Sequence, residues 1–207
     1  AFKFVLGLNF TISLIKSIYG NSIFCSGCVN LKELYLNEAL REIQTEAFYE
    51  CTSLEIEDLS LPNLISLGLN AFYGVKIKKV SNLGNVTALP AAGYSGGQTF
   101  GNWETLEEIV LPDTLQKVGD YALLKYINCK VKHLPQSITS IGISAFSGTL
   151  LEGDINLPNL TGTLGASTMS NTEITKISNL GAITTTGGNF NSGPFAFCTK
   201  LLTAVMP

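Results

Sequence analysis

The chain has one histidine, one tryptophan and two methionines among 207 residues. Any Ser-His-Asp or Cys-His nucleophilic site would have to use that one imidazole, His133. His133 stands two residues after Val131, at an outward strand position beside Leu134-Pro135. There it serves as a solvated or a ligand-contacting side chain more simply than as a catalyst. Charge is scarce as well: 13 Lys and Arg against 16 Asp and Glu, 14% of the chain, for a net charge of −3. A nucleic-acid groove needs a clear excess of cations, and so does adhesion to anionic lipid. Neither partner is expected.

Other absences narrow the reading further. The apolar stretch from Phe4 to Ile18 lacks a basic leader and a small-residue cleavage site. Lys3, Asn9 and Lys16 make it a poor span, so direct membrane insertion is not expected. Residues 1–27 read instead as a degenerate first repeat or cap. Gly96-Gly97 is not followed by Gly-Lys-Ser/Thr, which removes a phosphate cradle. No cofactor, no metal and no enzymatic activity are expected. Asp58 and Glu108 are the acids that an accidental carboxylate pair on the strand rows would draw on.

Cysteines number five. Cys28, Cys51 and Cys198 each stand three residues before a strand-opening leucine (Leu31, Leu54, Leu201), and Trp103 holds that place before Leu106. A column of repeat positions argues for small buried apolar side chains. Cys25-x-x-Cys28 leaves a redox or metal pair open, although a four-ligand zinc site could not be completed without Cys51 joining. A disulfide, if one forms, would involve Cys25 with Cys28 or Cys51.

What the chain has in abundance is a repeat. Ala47-Phe48, Ala71-Phe72 and Ala145-Phe146 fix its phase, and Phe100, Leu123, Met169 and Phe197 continue it at steps of 23 to 28 residues. A period in the twenties is the signature of a solenoid of stacked coils. Each coil opens on alternating apolar residues, often closed by proline, as in Leu106-x-x-Ile109-x-Leu111-Pro112 and Leu201-x-x-Ala204-x-Met206-Pro207. These read as short strands, ended where proline removes the N–H. The return half drops further apolar residues inward, such as Leu40, Ile43 and Phe48, or Ile138, Ile141 and Phe146.

The segments Ile43-Gln-Thr-Glu-Ala47-Phe48-Tyr-Glu-Cys51-Thr-Ser-Leu54 and Ile141-Gly142-Ile-Ser-Ala145-Phe146 resemble the BspA-like leucine-rich repeats of bacterial and protist surface proteins. The resemblance covers nearly the whole chain. It implies an extracellular or cell-surface location and adhesion to host or matrix proteins or to neighbouring cells. The expected fold is an α/β-type but β-rich repeat: one right-handed leucine-rich solenoid over 28–207. It would have eight to nine turns, one parallel sheet, and loop or 3-10 return segments.

Two turns carry Gly-rich insertions, each after a Ser-Asn-Leu-Gly element, at Ser81–Gly84 and Ser178–Gly181. The offset is 178 − 81 = 97, which points to a duplicated four-turn block. Tyr94, Gln98, Asn189 and Phe190 in these loops are candidate ligand contacts, although glycine there also simply permits a sharp turn. The chain ends at Met206-Pro207, mid-turn by this register. Either more repeats follow or the raw end is covered by another copy, through end-to-end self-association.

The candidate binding face is the set of outward strand positions: Glu33, Tyr35, Asp58, Ser60, Lys79, Glu108, Val110, His133, Asp154, Asn156, Lys176 and Ser178. Between buried neighbours such residues point away from the core. The partner expected is a protein or glycan ligand. A structural spacer holding other domains away from a surface is the alternative.

Overall fold

A computed structural model describes residues 10–12, 17–18, 25–93, 99–189 and 191–205. Its strands are short and, in chain order, alternate between two sides of a solenoid. They are β1 (Phe10–Ile12), β2 (Ser17–Ile18), β3 (Leu34–Leu36), β4 (Glu42–Ile43), β5 (Glu55–Ser60), β6 (Ser66–Leu67), β7 (Lys76–Asn82), β8 (Ala88–Leu89) and β9 (Glu108–Ile109). There follow β10 (Lys117–Val118), β11 (Lys130–Val131), β12 (Ser140–Ile141), β13 (Glu152–Asn156), β14 (Thr161–Leu164), β15 (Glu173–Asn179), β16 (Ala182–Thr186) and β17 (Thr203–Ala204).

Odd strands pair only with odd strands and even with even, always in parallel. Each coil thus feeds two ladders, not the one sheet expected from the strand starts. The second ladder escaped the sequence because most of its strands are two residues long. One apolar residue per coil (Ile43, Leu67, Leu89, Val118, Ile141) marks it, too few to show a period of two.

The third side of each coil is neither helix nor 3-10, and among the described residues there is no helix of any kind. The α/β label and the 3-10 return segments are therefore corrected. The reason lies in where the N–H groups go. In 46–51, alternate donors bond back across a turn: Ala47 to Gln44 O, Tyr49 to Glu46 O, Cys51 to Phe48 O. The intervening donors reach the next coil: Glu46 to Leu69 O, Phe48 to Ala71 O, Glu50 to Tyr73 O. A 3-10 helix would spend all of them within the coil. Alternation requires left-handed residues four apart, and they recur: Glu46 and Glu50 (φ 60 and 56), Tyr121 and Lys125 (59 and 67), Ser167 and Asn171 (53 and 52). Such a backbone costs a non-glycine residue roughly 1 kcal/mol. The coil-to-coil hydrogen bonds it makes possible offset that cost.

Inside runs one file of large side chains. Phe48, Phe72, Phe100, Leu123, Phe146 and Met169 are all 0% exposed. These six head coils that have a described coil stacked on either side, so complete turns number about six, against the eight to nine expected from counting strand starts. The rings of Phe48 and Phe72 stack with centroids 5.3 Å apart. Cys25 takes the file position in the first coil described here, its N–H bonded to Ala47 O as that of Phe48 is to Ala71 O. At the far end the register departs from expectation. Met169 N–H bonds to Pro194 O, so Phe195 follows Met169 in the file. Phe197 is 59% exposed, at φ 60.

The column three residues after the file holds Cys51, Val75, Trp103, Tyr126, Thr149, Thr172 and Cys198, so the cysteine ladder read from the sequence is a packing column. Tyr126 is its largest fully buried member. Its buried hydroxyl accepts from Phe100 N and donates to Gly101 O, both at 3.3 Å, and burial pushes its ionisation well above the usual tyrosine range.

Candidate functional site

The odd-strand face is shaped by coil length. From Leu54 to Pro62 the chain advances eight residues, but from Leu106 to Pro112 only six. Long strands result on either side (β5 with 6 residues, β7 with 7, β13 with 5, β15 with 7) and two-residue strands between them (β9, β11). β7 and β15 lie 173 − 76 = 97 residues apart, so the duplicated block is a structural unit. Ladder pairing lapses between β11 and β13, and there the short coil leaves a groove of about 670 Å³ beside the long strands. Its walls include Asp113, Lys132, His133, Gln136, Ser137, Glu152, Asp154 and Asn156. A shallower hollow of about 400 Å³ lies among Glu57, Lys78, Lys79, Glu107, Glu108, Asn128 and Lys130.

The parallel register places Asp58, Lys79, Glu108 and Lys130 in one row across four coils, and Asp154, Lys176 and Thr203 in another. Opposite charges directly across a ladder attract. Lys79 reaches Glu108 at 3.1 Å, Lys132 reaches its other oxygen at 3.1 Å, and Lys176 reaches Asp154 at 3.4 Å. Glu55 with Lys76 (2.7 Å), Glu57 with Lys78 (3.3 Å) and Glu173 with Lys200 extend the pattern. Asp58 Oδ1 accepts from Ser81 N at 3.1 Å. Exposed pairs of this kind contribute about 0–1 kcal/mol each. Their effect is on the shape and charge of the face.

Glu108 is the most enclosed of these acids. Hydrogen bonds from Lys132 and Lys79 hold its carboxyl below the ordinary value of 4.5. That favours the anion, the reverse of what a general acid needs. Lys79 also stands between Glu108 and Asp58, so these two do not form a carboxylate pair. A lowered folded value means the stabilisation is present above pH 4.5 and fades as pH falls through the folded value. Glu108→Gln is accordingly expected to lower the urea midpoint at pH 7 and to lower it less at pH 3. An equal loss at both pH values would show that the charge contributes nothing.

The other candidates fall at different places. His133 and Asp154 sit in the groove with Asn156, and His133 Nε2 lies 3.3 Å from Asp113 Oδ1. His133 is three residues past Lys130, the residue opposite Glu108, so it leaves the row it was read into. Val110 and Ser178 are half-buried, Ser60 is exposed at the end of β5, and Ser178 Oγ donates to Ile155 O. Tyr35 donates to Glu33 Oε2 at 3.2 Å on β3 and its flank, away from the groove. Asn189 turns on its own loop, its Oδ1 accepting from Asn191 N and Ser192 Oγ. Tyr94, Gln98 and Phe190 lie outside the described residues. Sequence reasoning passed over Lys130, Lys132 and Gln136, whose only signal was the 22- to 23-residue offset from the preceding coil. Among the described residues no group of three His, Cys, Asp or Glu side chains is placed to hold a metal ion. No helix among them is long and apolar enough to cross a membrane.

Stacked coils, two parallel ladders and one internal apolar file define a leucine-rich β-solenoid. Residues 16–95 and 94–202 match the model of the BspA type leucine-rich repeat region, in six copies, and the chain belongs to that family. No curated protein matches it. Among solved structures it is similar to a leucine-rich repeat protein from Bacteroides ovatus, at 15% identity and a TM-score of 0.43, over 88% of this chain and 68% of that one.

Proposed function

We propose that the chain is a non-catalytic binding module of an extracellular or cell-surface protein, which takes a protein or glycan ligand on its odd-strand face. The groove between β11 and β13 carries the reading. It combines depth with neutral and charged polar groups (Gln136, Ser137, Asn156, His133, Asp154) around a small apolar floor of Leu134, Leu151 and Ile155. A few convergent polar groups over apolar surface are what recognition sites require. Adhesion to matrix or neighbouring cells is the role this arrangement serves.

A panel of matrix proteins and glycans tests it, with the parent chain compared against His133→Ala/Asp154→Ala/Asn156→Ala. Loss of two or three groove contacts should weaken the best ligand by about tenfold or more. Tyr35→Ala, far from the groove, should leave affinity unchanged. Equal binding by the triple variant would remove the groove from the proposal. The coil-to-coil ion pairs favour a second reading, a stiff spacer whose face is neutralised internally. That reading gains if the panel yields no ligand.

A further inference from the structure

The first coil described here differs from all later ones in carrying a cysteine at both inward positions. In the later coils the file and column residues are Phe48/Cys51, Phe72/Val75, Phe100/Trp103, Leu123/Tyr126, Phe146/Thr149, Met169/Thr172 and Phe195/Cys198; in the first they are Cys25/Cys28. A ring or a long aliphatic chain fills the file elsewhere. Cysteine is the smallest occupant of the series, and packing alone does not call for it there.

We propose that Cys25 and Cys28 form a dithiol–disulfide site that exchanges with low-molecular-weight disulfides through Cys28. The two residues close one turn, with Cys28 N–H bonded to Cys25 O at 3.0 Å. Such a turn holds its first and last Cα within about 7 Å, and a disulfide spans roughly 4.4–6.8 Å. The thiol of Cys28 sits beside those of both Cys25 and Cys51. Cys51 is the rival partner, and two observations disfavour it. Its Sγ–H is committed to Cys25 O at 2.8 Å. Adjacent coils stack at about 4.8 Å, which leaves Cβ atoms farther apart than the roughly 3.8 Å a disulfide wants.

Access sets the order of events. Cys25 and Cys51 are buried and Cys28 is half-exposed. Burial pushes the Cys25 and Cys51 thiols up to about 12, which leaves Cys28 as the attacking group. The Cys28 thiolate attacks one sulfur of glutathione disulfide. That S–S bond breaks, one glutathione leaves as thiolate, and a mixed disulfide remains on Cys28. The Cys25 thiol gives up its proton and attacks the Cys28 sulfur, releasing the second glutathione. Two protein thiols are oxidised and one glutathione disulfide is reduced to two glutathiones.

The test equilibrates the full chain with glutathione disulfide, quenches it in acid, unfolds it, alkylates it with iodoacetamide and maps each cysteine by mass spectrometry. Label on Cys25 and Cys28 is expected to fall together by about tenfold, in a peptide lighter by two hydrogens, while Cys51, Cys129 and Cys198 stay alkylated. In Cys28→Ser, Cys25 should regain its label. Full labelling of all five cysteines, a stable glutathione adduct on Cys28, or a Cys28–Cys51 crosslink would each overturn the proposal.

Discussion

Phe72→Ala is expected to lower the unfolding free energy by about 3–5 kcal/mol, whereas Phe197→Ala leaves it within about 0.5 kcal/mol. Both phenylalanines follow an alanine and stand in similar local sequence, so the contrast tests the fold rather than the residue type. Phe72 is 0% exposed and stacks on Phe48. Its removal leaves a cavity between coils whose backbones are bonded on three sides, so the gap cannot collapse. Phe197 instead carries its ring into solvent on a left-handed backbone, and alanine there gives up little packing. Urea titrations followed by circular dichroism measure both, with the slope checked for a change in cooperativity, since repeat arrays can lose two-state behaviour. Comparable losses in the two variants would mean that the internal file has been assigned to the wrong residues.

Phe197 also shows where sequence reading stops. The period, the apolar file and the column three residues after it were legible, because each depends on side chains that must be hidden once per coil. The file's last step was not. Ala196-Phe197 copies the local pair, but the inserted loop before it decides which phenylalanine meets Met169, and Pro194-Phe195 arrives in register. Loop length is a tertiary quantity that the pair itself does not encode. The same holds on the surface. Asp58, Lys79 and Glu108 were legible as one row, since strands stacked in register align equivalent outward positions. The groove was not, because it arises where a short strand segment, Cys129 to Pro135, lies beside a longer one, Leu151 to Pro158. The signal was present in the distances from Cys129 to Pro135, six residues, and from Leu151 to Pro158, seven. The turn runs were hidden for another reason: Glu46, Tyr121 and Ser167 have no sequence preference for a left-handed backbone, and the neighbouring coil imposes it.

Gly68→Ala is the second large effect, about 3 kcal/mol of destabilisation, and it arises without any buried side chain being lost. Glycine recurs directly after the second ladder, at Gly68, Gly119, Gly142 and Gly165. The sequence suggests a tight corner there, but at Gly68 the backbone is one that any residue adopts, and proximity is what excludes a side chain. A Cβ on Gly68 would lie 2.1 Å from Thr45 N and 2.3 Å from Gln44 C. Those atoms belong to the backbone of the preceding coil, so no rotamer change relieves the contact. Gly68 N–H also bonds to Ile43 O at 2.7 Å, and separating the coils would stretch that bond with the β4–β6 pairing beside it. Gly153→Ala is the comparison. Its φ is +84 with nothing within 4 Å of the added atom, so it should cost only the left-handed penalty of about 1 kcal/mol. If Gly68→Ala proved as mild as Gly153→Ala, the coils would have room to slide apart at that corner. Coil spacing would then be set by the ladders alone, not by backbone contact where the chain turns.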